Sequence, residues 1–176
     1  MKIVLTGFMG TGKSVVGRRL AERLGLSFLD LDDMIEEEAG MSIAEIFASE
    51  GEPGFRRRER EQIASVHRRG HCVIATGGGA LLDPENIRTL GTGAVLVCLQ
   101  AEPEVILRRI KAESHRPLLQ VPDRMVRIRE LLEQRASAYA QADLAVETSD
   151  SSIEEIVDRI MSSLGQEPAR ADYPAR

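Results

Sequence analysis

The stretch Lys2-Ile3-Val4-Leu5-Thr6-Gly7-Phe8-Met9-Gly10-Thr11-Gly12-Lys13-Ser14-Val15-Val16-Gly17-Arg18-Arg19-Leu20 decides the fold of this 176-residue chain. Its first residues are apolar in unbroken succession, as a strand buried on both faces requires, and its last ones repeat apolar residues at helical spacing. Between them, residues 7–14 satisfy Gly-x-x-x-x-Gly-Lys-Ser. Glycines let such a loop curl so that successive amides face a phosphate, and the following helix adds its partial positive charge. Lys13 is placed for the β and γ phosphates of a nucleotide, and Ser14 for Mg²⁺. A glycine turn that merely joins strand to helix needs neither Lys nor Ser there. A dinucleotide fingerprint fails on spacing, because Gly10 and Gly12 are followed by Gly17.

The rest of the chain repeats this rhythm. Strand-like runs are expected at residues 3–6, 27–31, 72–76, 94–99 and 145–147, and helices near 14–24, 84–90, 102–112, 123–140 and 152–164. Five strands alternating with helices predict an α/β domain over residues 1–165, a five-stranded parallel sheet with helices on both faces. The first and fourth strands are the most continuously apolar and are expected at its centre. Two segments interrupt the alternation. Residues 33–70 read as a substrate-holding insertion, with a capping-box pattern at Ser42 and Glu45. Residues 111–123, with two Pro and little periodicity, read as a lid, and 166–176 as a disordered tail.

Composition bounds the partners. A net charge of −5 and only 3% aromatic residues speak against a nucleic-acid surface or a base-stacking platform. No apolar run approaches the roughly 18 residues of a membrane span. The glycine loop begins too early to leave room for a leader ahead of it. Cys72 and Cys98 each sit in an apolar strand, which fits packing in a reducing compartment, and the three His form no metal spacing with them. The expectation is a cytoplasmic, monomeric, small-ligand protein. Only Lys2, Lys13 and Lys111 among 23 basic residues are Lys.

Around the loop, several residues form a plausible acceptor side. Asp30 and Asp32 end the second strand, on the same sheet rim as the loop, and strand alternation places them on one face, to order Mg²⁺ and to accept from a substrate hydroxyl. Asp33 reads as a helix cap. Gly77-Gly78-Gly79 follows the third strand, where missing Cβ atoms allow a substrate or phosphate to approach the backbone. Glu59, three residues after Arg56, is placed to orient that guanidinium for a carboxylate. Arg116, before Pro117, is placed to swing over the phosphates. The cleft is expected to be locally cationic.

The ordered set Gly-Phe-Met-Gly-Thr-Gly-Lys-Ser, Leu-Asp-Leu-Asp, Gly-Phe-Arg-Arg-Arg-Glu, Gly-Gly-Gly and His-Arg-Pro-Leu-Leu resembles the shikimate kinase family over about residues 1–164. The resemblance implies a fold similar to nucleoside monophosphate kinases and ATP-dependent phosphorylation of the shikimate 3-hydroxyl, on the route to chorismate. By position it implies that Gly10, Thr11, Gly12, Lys13, Ser14 and Val15 hold the ATP phosphates, with Ser14 a ligand of Mg²⁺ and Asp30 in or near the metal's outer shell. Asp32 becomes the candidate base and a hydroxyl ligand, while Arg56, Gly78 and Arg135 clamp the shikimate carboxylate. Lys13, Asp32 and Arg116 form the catalytic set, and Arg109 resembles the family's adenine-stacking arginine.

Three positions depart from the family pattern. Val15 replaces Thr and removes a hydroxyl contact to phosphate, for which weaker ATP affinity is expected. Arg135-Ala136-Ser137-Ala138-Tyr139 lacks the family's Pro, which leaves the end of that helix open. In the adenine loop, Glu147-Thr148 stands for Asp-Thr and the usual Pro is replaced near Ile153, which leaves nucleobase selectivity open. Two alternatives bracket this reading: a related kinase with another acceptor, such as gluconate, and a nucleotide-binding regulatory module without transfer chemistry. If residues 113–122 close over bound ATP, nucleotide and shikimate together should raise their protection from hydrogen exchange. Unchanged protection would refute closure there.

Overall fold

The computed structural model describes residues 1–110 and 121–165. Five strands, β1 (Lys2–Gly7), β2 (Ser27–Asp30), β3 (Cys72–Ala75), β4 (Val95–Gln100) and β5 (Leu144–Glu147), pair in parallel in the order β2-β3-β1-β4-β5. The helices are α1 (Lys13–Leu24), α2 (Leu31–Ala39), α3 (Ile43–His67), α4 (Pro84–Gly91), α5 (Pro103–Ile110), α6 (Arg124–Tyr139) and α7 (Ile153–Gly165). A single 3₁₀ turn, Ala80–Leu82, follows β3. The parallel α/β architecture and the central place of β1 agree with the sequence, and β4 lies directly beside β1. The anticipated lid lies outside the described residues up to 120, as does the expected tail, 166–176. Among the described residues no helix is long and apolar enough to cross a membrane.

Strand side chains alternate between faces, and the core divides accordingly. Ile3, Leu5, Val73, Val97 and Leu99 face α1 and α7, where they meet Leu20, Val157 and Ile160. Val4, Cys72, Ile74 and Leu96 face the opposite way, toward Leu31, Ile63, Val66 and Leu90. A third cluster, with Phe8, Met9, Cys98, Ile106, Ile128 and Tyr139, packs α5 and α6 behind the glycine loop. Both cysteines are buried and free.

Local sequence sets the helix ends. The Ser42–Glu45 capping box forms, with the Ser42 N–H donating to Glu45 Oε2 at 2.7 Å. Asp123 caps α6, and Asp83 caps α4 with Pro84 in its first turn. Inside α3 the backbone breaks at Gly51 (φ 69°, ψ −178°), a conformation essentially confined to glycine, two residues before Pro53. Pro53 also disfavours helical geometry at Glu52, so α3 is two helical pieces meeting at a kink that the apolar periodicity did not reveal.

At Gly17 packing opposes propensity. A Cβ there would lie 2.4 Å from Phe28 Cε2 and 3.2 Å from Leu5 Cδ1. Alanine gains about 1 kcal/mol of helix propensity over glycine, whereas forcing a methyl into a packed core costs about 1–3 kcal/mol. The added methyl would press on the Phe28 ring of β2 and on the fully buried Leu5, so Gly17→Ala should lower the midpoint of thermal unfolding. A raised midpoint would show that α1 shifts freely on the sheet.

Candidate active site

The parallel register brings three strand ends to one rim. Leu5 and Asp30 both stand level with Ala75, and the chain then turns at Gly7, Asp30 and Thr76. The loop after β1 curls through Gly10 (φ 77°) and Gly12 (φ 92°), positive values that suit glycine. At Gly7 (φ 131°) a Cβ would collide with the Leu99 carbonyl oxygen at 2.1 Å. Lys13 Nζ donates to the carbonyls of Gly7 and Phe8, both at 2.9 Å, and Ser14 Oγ donates to Asp30 Oδ2 at 2.6 Å.

One cavity of about 1030 Å³ opens on this rim. Its lining gathers Gly10, Gly12, Lys13, Ser14, Val15, Asp30, Asp32, Arg56, Gly78, Arg109 and Arg135, from five helices, two glycine loops and the end of β2. Thr11 stands behind it: 1% exposed, it donates through Oγ1 to the Phe8 carbonyl at 2.7 Å and braces the loop from within. Arg116 lies outside the described residues. Among those described, no group of three His, Cys, Asp or Glu side chains is arranged as a metal cage.

Several expectations are corrected. Asp30 and Asp32 do not share a strand face, because the strand ends at Asp30, whose carboxylate caps α2 by accepting from the Asp32 N–H at 3.1 Å. Asp32 therefore occupies the first turn of α2, and the cap is Asp30 instead of Asp33, which pairs with Arg18 at the surface. The cleft is also not cationic throughout. Asp30, Asp32, Asp33 and Glu36 form one acidic wall, all from β2 and α2, facing Lys13, Arg56, Arg109 and Arg135 from other elements.

The structure adds a packing reason for the triple glycine. A Cβ at Gly77 would meet Glu59 Oε1 at 2.8 Å and Asp32 Oδ1 at 3.1 Å. At Gly78 it would stand 3.3 Å from Arg135 Nη1, and at Gly79 2.5 Å from Arg56 Nη2. Functional side chains, and not only a ligand, lie flat against this backbone. Arg56 is held as its spacing predicted, donating through Nη1 to Glu59 Oε2 at 2.7 Å, and Glu52 adds a second acceptor at 3.1 Å. Burial alone would lower the Arg56 pKa, but attraction to Glu59 and Glu52 outweighs it and raises it. Glu59 is 1% exposed, and burial pushes its carboxyl above the ordinary value despite Arg56. Its Oε1 has no hydrogen-bond partner among the described residues, nor has the buried Nε of Arg135.

Other contacts escaped the sequence. Arg109 donates to the carbonyls of Gly10 and Thr148 at 3.3 and 2.7 Å, and to Thr148 Oγ1 at 3.1 Å. Thr148 Oγ1 also reaches the Thr11 carbonyl at 3.3 Å, tying the segment after β5 to the glycine loop. The resemblance marked Thr148, but no local signal gave these partners. Phe47 and Phe55, with ring centroids 5.0 Å apart, supply an apolar wall together with Ile43. Their recurrence within α3 was readable as core, but their opening onto the cavity was not.

A sequence model described as shikimate kinase matches residues 9–165. The shikimate kinase of Caldanaerobacter subterraneus subsp. tengcongensis is 48% identical over 90% of this chain and 93% of its own length. That of Symbiobacterium thermophilum is 45% identical over 97% and 99%. Among solved structures, shikimate kinase from Acinetobacter baumannii in complex with shikimate superposes with a TM-score of 0.91 at 37% identity, covering 96% of this chain and 95% of that one. A gluconokinase from Sinorhizobium meliloti, TM-score 0.58 at 18% identity over 94% and 91%, shares the fold alone. On sequence, on fold and on the residues gathered at the rim, this chain belongs to the shikimate kinase family.

Proposed function

We propose that this chain transfers the γ-phosphoryl group of ATP to the 3-hydroxyl of shikimate, giving shikimate 3-phosphate and ADP on the route to chorismate and the aromatic amino acids. One observation carries the reading. A single cavity joins the phosphate loop with its Lys13 to a carboxylate, Asp32, and to two guanidinium groups, Arg56 and Arg135, that can grip a carboxylated acceptor.

Within that cavity the roles divide by chemistry. Gly10, Gly12 and Val15 present backbone to the phosphates, and Lys13 leaves the Gly7 and Phe8 carbonyls to meet them. Val15 is 54% exposed beside the loop and offers a methyl surface in place of a hydroxyl. Arg109, its donors already committed to Gly10 and Thr148, presents a guanidinium face for the nucleobase. Arg56 and Arg135 fix the shikimate carboxylate beside Gly78, while Asp32 accepts from its hydroxyls. The 3-oxygen then bonds to the γ-phosphorus as the bond to the β,γ-bridging oxygen breaks, and the hydroxyl proton passes to Asp32. Such transfers depend chiefly on positioning and charge stabilisation, so Asp32 need not be a strong base. Arg116 is assigned to the transferring phosphoryl group.

Mg²⁺ fits the residues present. The hydroxyl of Ser14 and the carboxylate of Asp30 are hard oxygen donors in contact at 2.6 Å, and a small site of this kind suits an ion that keeps waters and binds substrate phosphates. Ser14 and Asp30 would hold it, directly and through water, and its charge would neutralise the phosphate oxygens. We place the enzyme in the cytoplasm, where its two free thiols remain reduced. We take it as a monomer, since exposed large apolar residues such as Leu82, Val126 and Ile153 sit on separate elements.

A coupled assay with ATP, Mg²⁺ and shikimate should show acceptor-dependent ADP release, and no turnover at millimolar shikimate would sink the reading. Arg56→Ala should raise KM for shikimate roughly 10- to 100-fold, the effect of losing charge-assisted hydrogen bonds. An unchanged KM would point to an acceptor without a carboxylate. Glu59 gives a second test. Its pKa is raised from 4.5 in the folded protein, so the folded chain holds that proton more tightly than the unfolded one. Stability contributed this way is full below pH 4.5 and declines as pH rises through the raised value. Whatever Glu59→Gln costs by breaking the Arg56 pair, its stability relative to the parent should therefore improve as pH increases from 4.5 toward neutrality. A relative decline over that window, measured by denaturant unfolding, would reverse the assignment.

A further inference from the structure

The last turn of α6 carries a polar side chain that the reaction as drawn leaves unused. Arg135 and Tyr139 stand four residues apart, the spacing that brings two side chains to one helix face. Both reach the same acceptor. Arg135 Nη1 donates to the Gly78 carbonyl at 3.0 Å and Tyr139 Oη donates to it at 2.6 Å, so both lone pairs of that oxygen are used. The two side chains are 3% and 8% exposed. The Tyr139 ring is packed with Phe8, Met9, Cys98 and Ile128, and the Arg135 guanidinium lies 5.3 Å from the Phe8 ring centroid. Because α6 continues helical to Tyr139, the missing Pro of Arg135-Ala136-Ser137-Ala138-Tyr139 leaves this pair intact.

The carbonyl of Gly78 and the N–H of Gly79 belong to one planar trans unit, so fixing the first fixes the second. Arg56 lies against the residue that carries this N–H, close enough that a Cβ at Gly79 would be 2.5 Å from its Nη2. One peptide unit thus joins the neighbourhoods of the two guanidinium groups assigned to the substrate carboxylate. If Arg135 alone held the Gly78 carbonyl, engaging a carboxylate would draw Nη1 away and leave a buried acceptor bare, which is costly. A neutral hydroxyl avoids this without placing a second charge beside Arg135. Burial pushes the Tyr139 phenol up to about 12, so it remains a protonated donor throughout the neutral range.

We propose that Tyr139 is a positioning residue for the acceptor half of the site: it holds the Gly78 carbonyl, fixes the 78–79 peptide unit against which Arg56 and Arg135 both lie, and releases Arg135 to the substrate carboxylate. The proposal rests on the shikimate reading above. Tyr139→Phe keeps the ring and removes only the hydroxyl. It should raise KM for shikimate roughly 5- to 20-fold, with KM for ATP within about twofold of the parent and kcat little changed. In an Arg135→Ala background the same change should have less than about a twofold further effect on kcat/KM, because the hydroxyl acts through Arg135. An unchanged KM for shikimate, equal losses for both substrates, or full additivity with Arg135→Ala would overturn the positioning role while parental turnover leaves the functional reading standing. A parental enzyme inert toward shikimate would overturn both.

Discussion

Leu5, Ala75 and Asp30 stand level across three adjacent parallel strands, and the rest of the site hangs from that alignment. In a parallel sheet the three carboxyl ends open on the same edge, so the loop after β1, the turn into α2 and the glycines after β3 emerge side by side. A slip of one residue in any pairing would turn the side chains of one core cluster toward the other, whose differently shaped partners they do not fit. Register is therefore specified by the core, and the core in turn determines that Lys13, Asp30 and Gly78 face one cavity. This is why groups so distant in sequence need no long-range electrostatic steering to assemble.

Charge alone does not explain recognition here. The chain carries a net −5, and even the described lining of the cavity opposes four basic side chains with four acidic ones. Arg56 is already paired with Glu59 and Glu52, which offsets much of its field. What remains for an anionic ligand is geometry: a planar fork held in one orientation, with hydrogen-bond donors aimed across a cavity. In the pairing with Glu59 the carboxylate is buried but Arg56 is 19% exposed to the cavity, so breaking it costs less than the roughly 3–5 kcal/mol of a fully buried pair. By contrast, the Arg19, Arg23, Glu154 and Asp158 network between α1 and α7 is exposed and screened by solvent, so it contributes little. Two sets of ion pairs thus differ in purpose: one presents a ligand group, the other dresses a surface.

The sequence disclosed what depends on periodicity and on spacing within one element. Strand runs, the phosphate loop, the Ser42–Glu45 box and the Arg56–Glu59 pair are of this kind. It misled where one pattern serves two purposes. Phe28-Leu29-Asp30-Leu31-Asp32 alternates like a strand, yet Asp30 is equally a helix cap, and the helix prevailed because its N-terminal amides needed an acceptor. The kink at Gly51 was masked by apolar residues that keep helical spacing on both sides of it. The glycines at 77–79 were correctly marked as special, but their purpose became visible only with Arg56, Arg135 and Glu59 in place. Tyr139 could have been found from its four-residue distance to Arg135. Thr148 was marked only by the resemblance, and its junction with Thr11, Gln100 and Arg109 follows from no local pattern.

The scarcity of lysine acquires a physical sense from these contacts. Lys13 rests on two backbone carbonyls, Gly7 and Phe8, which a flexible ammonium can exchange for phosphate oxygens with little reorganisation. Arg56, Arg109 and Arg135 are instead each fixed through more than one kind of contact, with carboxylates, carbonyls or an aromatic ring, before any ligand arrives. A group that must follow a phosphoryl unit between two oxygens benefits from a long, rotatable stem. Groups that must hold an acceptor still benefit from a rigid fork, whose ordering cost has been met in folding and need not be met again on binding. On the proposed reading, Lys13 can adjust at the phosphates while Arg56 and Arg135 hold the acceptor in a fixed orientation.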